Sequence, residues 1–134
     1  MTKLVVLAFV ASVAVVTAAA SSAHAAPPQA AAGAKVFAAN CTGCHGANGT
    51  GQPGVFPSLA ANPYVSGDAK RVIHTVKFGL TGKIVAKGVK YDGVMPAWRG
   101  TLRDEQIADV ITFIRTSWKN KGSVVTAAQV RAVK

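Results

Sequence analysis

Five residues, Cys41-Thr42-Gly43-Cys44-His45, constrain this chain more than any other stretch. Two thiols stand three residues apart and a histidine follows directly. On a helical turn Cys41 and Cys44 project from one side, at i and i+3. Cys-x-x-Cys-His is the spacing of covalent haem attachment, in which one short segment bonds both vinyl groups. His45 then lies close enough to the iron to be its proximal ligand. A haem held by thioether bonds cannot diffuse away, so a small protein can keep it.

Two other chemistries use Cys-x-x-Cys. A thioredoxin-like redox pair belongs in a βαβ pattern, and none surrounds these residues. A zinc site asks for four ligands. The whole chain offers two Cys and three His, and His24 falls in a segment expected to be removed.

That segment is residues 1–25, which read as a secretory signal. Lys3 supplies the positive start, Leu4 to Ala20 is uncharged and rich in Val, Ala and Leu, and Ala23-His24-Ala25 is an A-x-A cleavage site. An uncleaved membrane anchor is the alternative, since the apolar run approaches a spanning length. Cleavage would leave one small domain with a marginal core, to which a buried haem adds apolar surface. Both cysteines are then spent on haem and no disulfide remains.

The chain is strongly basic, with 15 Lys+Arg against 5 Asp+Glu and a net charge of +10. Such a charge steers acidic partners or anionic membrane surfaces toward the protein. Nucleic acid is the usual rival, but no groove-reading motif is present and the leader directs the chain away from the genome. No nucleic-acid partner is expected.

Residues 26–32 read as a flexible lead-in. A first helix is predicted from about Ala30 to Gly43, with Gly33, Phe37, Cys41 and Cys44 on one face. The spacing Gly33-x-x-x-Phe37-x-x-x-Cys41-x-x-Cys44-His45 resembles the N-terminal helix of class I cytochromes c. The resemblance implies an all-α cytochrome c fold over residues 33–122. Its N- and C-terminal helices would cross at Gly33 and Phe37, meeting Val110 and Phe113, with a middle helix between.

After His45 runs a turn-rich loop through Gly54. Gly49-x-Gly51-x-x-Gly54 matches a dinucleotide fingerprint, but that pattern has force only between a strand and a helix. Here it follows the haem motif and contains Pro53, so it is set aside. Phe56-Pro57-Ser58-Leu59 resembles the family segment in which a proline carbonyl accepts a hydrogen bond from the proximal histidine. Carried over, Pro57 orients His45 and Leu59 packs on the haem. The plain alternative is that Pro57 shapes a turn.

Ser66-Gly67-Asp68 opens a middle helix through about Gly79, with Ser66 or Asp68 as cap and Val72, Ile73, Val76 and Leu80 as its apolar stripe. His74 points off that stripe and reads as a surface residue. Residues 81–93 are predicted as a short hairpin or extended loop. Lys83, Lys87 and Lys90 make it basic, either as a partner-docking rim or as a solvated loop. Met95, in Gly93-Val94-Met95-Pro96-Ala97-Trp98, is the only methionine beyond the leader. Its polarizable thioether suits a sixth ligand to haem iron, and Met-Pro matches the family's distal-ligand segment. Trp98 and Tyr91 are candidates to pack around the haem.

A last helix is predicted from about Leu102 to Asn120. Thr101 and Asp104 form a capping-box variant, and Ile107, Val110, Ile111, Ile114 and Trp118 are the buried stripe. Residues 123–134 read as a basic, weakly helical tail without a role. The resemblance spans about Gly33 to Trp118 and is strongest to small bacterial cytochromes c that act alone or as subunits beside dehydrogenases and terminal oxidases. It implies one covalent haem c with His45 and Met95 as metal ligands. It implies electron transfer without catalysis between a redox donor and acceptor. The leader puts this in the periplasm, and the basic charge leads us to expect acidic docking surfaces on those partners. The other reading is a haem enzyme or gas sensor with an open or weakly ligated iron.

Overall fold

The computed structural model describes residues 28–134. The predicted leader, its cleavage site and His24 lie outside the described residues. Six helices and one hairpin follow in the order α1 (Pro28–Asn40), α2 (Thr42–His45), α3 (Pro63–Ser66), α4 (Ala69–Phe78), β1 (Leu80–Ala86), β2 (Val89–Met95), α5 (Asp104–Thr116) and α6 (Ala127–Ala132). Among the described residues no helix is long and apolar enough to cross a membrane.

The alanine-rich α1 begins at Pro28, a residue whose missing N–H costs nothing in a first turn. Most of the expected lead-in, 26–32, is therefore helix. Ala30 is buried, and Gln29 donates its side-chain amide to the Val125 carbonyl at 2.7 Å. These contacts reach the far end of the chain, which local pattern does not reveal.

α1 packs mainly on α5. The close approach is at Gly33, where a Cβ would fall inside the Asp109 carbonyl and 2.8 Å from Phe113 Cβ. Phe37 stacks on Phe113 with ring centroids 5.5 Å apart. The crossing implied by the resemblance is present, centred on Asp109 and Phe113, with Val110 buried in the same core.

α5 is shorter than predicted. Its cap lies at Arg103, whose N–H donates to Gln106 Oε1 at 3.1 Å, two residues beyond the expected Thr101. Its end comes at Thr116 because Trp118 and Lys119 turn left-handed, at φ 50° and 67°. The freed carbonyls are taken up: the Gly122 N–H donates to the Arg115 carbonyl, and the Asn120 amide to that of Ile114. Trp118 is thus outside the helix, folded back against Phe37 and Phe113 at 5.0 and 5.1 Å.

The middle helix, α4, is capped by Asp68, which accepts from the Lys70 N–H. Val72, Ile73 and Val76 are buried, whereas Leu80 lies past Gly79 on β1 and is exposed. Strands β1 and β2 pair antiparallel around Lys87-Gly88. Both turn residues have positive φ, 51° and 78°, as a two-residue hairpin requires. Leu80 stands opposite Met95, so Met95 closes a strand rather than sitting in a loop.

The expected idle tail is part of the domain. Val125 and Val130 are fully buried, and α6 packs on α5 and α4. Thr126 and Gln129 cap α6 reciprocally, at 3.2 and 2.8 Å. Lys77 donates its ammonium to the Val130 and Val133 carbonyls, both at 2.8 Å. Arg115, also buried, donates to the carbonyls of Val65, Gly67 and Ser123.

Candidate haem site

Helix α1 stops at Asn40, and Cys41 bridges to α2 with its N–H on the Phe37 carbonyl at 2.8 Å. Thr42 reinforces the junction by donating its hydroxyl to the same carbonyl. The chain then makes one further turn, with the His45 N–H donating to the Cys41 carbonyl at 3.0 Å. Gly46, at φ 73°, ends it. One rigid unit therefore carries both thiols and the imidazole.

His45 is buried, and its Nδ1–H donates to the Pro57 carbonyl at 2.9 Å. A carbonyl only accepts, so Nδ1 holds the proton and Nε2 keeps a free lone pair. Burial pushes the imidazole below its ordinary pKa, against a smaller opposing pull from that hydrogen bond. The neutral ring is the form that ligates metal.

The discarded glycine pattern turns out to position this carbonyl. A Cβ on Gly51 would collide with the Phe56 and Pro57 backbone, and Gly51 donates its N–H to the His45 carbonyl at 2.8 Å. Gly49 lies against the Trp118 ring, while the space around Gly54 is open. Asn120, read in the sequence only as the end of the last helix, ties this loop to α5. Its amide donates to the Leu59 carbonyl at 2.8 Å, and its oxygen accepts from the Asn62 N–H at 2.9 Å.

His45, Met95, Cys41, Leu59 and Trp98 all line one small cavity of about 70 Å³, partly open to solvent. Most of its remaining wall is apolar, from Phe37 on α1, Val72 and Val76 on α4, and Val110 and Ile114 on α5. Cys44 is exposed. Tyr91 is buried on β2 opposite Ile84 and shares a hairpin face with Met95, but it does not line the cavity. Tyr64 lines it instead. Arg99 is placed over the Phe78 ring at 4.9 Å, and His74 is exposed beside that ring, as the helical period predicts.

This donor set fits a haem: an imidazole with a free Nε2, a thioether, an apolar cavity and two thiols on one turn. It does not fit the rival chemistries. Burial first, and Cys44 second, push a free Cys41 thiol up to about 11, whereas a redox pair needs a depressed thiol pKa. Among the described residues no three His, Cys, Asp or Glu side chains converge as a zinc site requires.

Comparison with known proteins agrees. The Cytochrome c family model matches residues 30–118. The chain belongs to the cytochrome c family. It is 43% identical over 90 residues to cytochrome c-552 of Thermus thermophilus, covering 64% of this chain and 67% of that protein. It is 35% identical over 109 residues to the cytochrome c subunit of a quinone alcohol dehydrogenase from Gluconobacter oxydans, covering 79% of this chain but 22% of that protein. It is 38% identical over 86 residues to cytochrome c6 of Leptolyngbya boryana, covering 64% of this chain and 89% of that protein. The chain thus spans about two thirds of the cytochrome c-552 it matches and under a quarter of the dehydrogenase subunit. Membership in this cytochrome family carries covalent haem c and electron transfer with it.

Proposed function

We propose that this cytochrome holds one haem c through thioether bonds at Cys41 and Cys44, with His45 and Met95 as axial ligands. It passes single electrons between partner proteins and has no catalysis of its own. The observation that carries the reading is that the Pro57-tied imidazole and the Met95 thioether line the same apolar cavity.

The haem supplies a one-electron couple. The chain's residues set the conditions for it. Pro57 fixes the tautomer and orientation of His45. Leu59 and Trp98 pack the cavity and exclude water. A soft sulfur ligand and an apolar wall favour the reduced state, raising the potential relative to bis-histidine ligation. With His45 and Met95 both holding the metal, no substrate would need to reach it. The α1–α2 unit that carries both thiols and His45 is held by backbone hydrogen bonds.

The leader expected at residues 1–25 supports export to the periplasm, or anchoring at the membrane if it is retained. The relatives named as dehydrogenase and cbb3-type oxidase subunits support partners of that kind. The net charge of +10 supports acidic docking surfaces on them and association with anionic membrane surfaces.

Absorption of the ferric holoprotein tests the ligand set. An iron–thioether charge-transfer band that disappears in Met95→Ala is expected. Rapid cyanide or carbon monoxide binding by the unmodified protein at neutral pH, without that band, would favour the open-iron enzyme or sensor instead.

A further inference from the structure

We propose that the groove between α4 and α6 is the docking site for an acidic surface of a protein redox partner, with Tyr64 joining it to the haem cavity. The proposal rests on the electron-transfer reading above.

The groove has a volume of about 620 Å³. Ile73, Leu80 and Val133 give it an apolar floor, and Lys70, Arg71 and His74 stand along it. No carboxylate is among its lining residues. An apolar centre with a one-signed charged rim suits a partner that must be steered in, hold briefly and leave.

Its position is the second argument. Tyr64 and Thr75 line both this groove and the haem cavity, so the wall between them is one side chain thick. The Tyr64 hydroxyl is 2.8 Å from Thr75 Oγ1 and donates to the Arg71 carbonyl at 3.2 Å. The Arg71 guanidinium covers the Tyr64 ring at 4.7 Å. A partner seated on Arg71 would sit one aromatic ring from the cavity.

The hairpin, the basic stretch that stands out in the sequence, is less available. Lys83 faces Asp92 across the strands, and Lys87 is drawn back to the Ala60 carbonyl at 3.0 Å. Lys90 stands two residues from Asp92 on the same face of β2.

The test is stopped-flow oxidation of the ferrous holoprotein by an acidic blue-copper protein, at low and high salt. Lys70→Glu/Arg71→Glu is compared with Lys83→Glu/Lys90→Glu, which makes the same change in charge. Acidic residues in the first turn of α4 suit its dipole, so the groove variant is expected to fold. Its second-order rate at low salt should fall about tenfold or more, and the difference should vanish at high salt. The hairpin variant should lose much less. Equal losses, or a larger loss in the hairpin variant, overturn the groove assignment and leave electron transfer standing. If the groove variant misfolds, Lys70→Ala/Arg71→Ala must show a smaller loss in the same direction, and an unchanged rate there also overturns it. Failure of the unmodified holoprotein to exchange electrons with the copper protein or with dithionite would instead remove the underlying reading.

Discussion

Replacing Gly33 by alanine sets two effects against each other. In an isolated helix, alanine is favoured over glycine by about 1 kcal/mol. In this molecule the added methyl would fall inside the Asp109 carbonyl and 2.8 Å from Phe113 Cβ. Backbone cannot rotate aside as a flexible side chain can, so α1 and α5 must separate. Overpacking of this kind costs about 1–3 kcal/mol, and more where backbone moves. Separation also loosens the Phe37–Phe113 and Phe37–Trp118 contacts, at 5.5 and 5.0 Å, each worth about 0.5–1.5 kcal/mol. The balance is a net destabilisation of about 2 kcal/mol. With a urea slope of about 1–3 kcal/mol per M, the unfolding midpoint of the holoprotein should drop by about 1 M. Gly43→Ala is the control, because nothing lies within 4 Å of a Cβ there. It should leave the midpoint unchanged or raise it. A Gly33→Ala protein as stable as its parent would show that the two helices do not meet at this residue.

Other outcomes follow from the same contacts. Asn120→Ala orphans the buried Asn62 N–H and the Leu59 and Ile114 carbonyls. It should cost about 2–4 kcal/mol, read as a lowered urea midpoint, and a surface-like loss under 0.5 kcal/mol would contradict the hub. Ending the chain after Gly122 exposes the pocket that Val125 and Val130 fill and removes an acceptor from Arg115. Loss of those two valines alone is worth about 3 kcal/mol or more, so thermal unfolding should come markedly earlier. An unchanged transition would return the tail to an idle role. His45 supplies a pH dependence. Its folded pKa is below the ordinary 6.5, and iron ligation acts in the same direction. The unfolded chain therefore binds the extra proton first, and stability present above pH 6.5 is lost as pH falls below it, by at most about 1.4 kcal/mol per pH unit. Urea midpoints at pH 6.5 and pH 5 measure this, and a rise toward acid would contradict the burial.

The parts legible in the sequence were those governed by short spacing. Cys41, Cys44 and His45 declare themselves by separation along the chain, and the stripes of α4 and α5 by helical period. Family resemblance, rather than period, supplied the crossing at Gly33 and the pairing of Pro57 with His45. What stayed hidden depends on contacts between distant segments. Val125 and Val130 lie in a basic, weakly patterned tail, and only the packing of α6 on α5 and α4 shows them buried. The Thr126–Gln129 capping signature was readable there and marks the helix. Tyr91 and Tyr64 are both tyrosines near site elements. Only the three-dimensional arrangement puts the second, not the first, on the cavity. Gly49 and Gly51 looked like loop punctuation, yet each is small because a ring or a carbonyl occupies the space beside it. Trp118 ends outside the helix that its spacing suggested, because the chain reverses left-handed to bring the indole back to Phe37.

The ligand pair is most directly tested by proton NMR of the ferrous holoprotein. Ring current from the porphyrin should carry the Met95 methyl to a sharp line far upfield of all ordinary resonances, and that line should be absent from Met95→Ala. A Met95 methyl at an ordinary methionine shift would place the sulfur away from the metal and contradict the account.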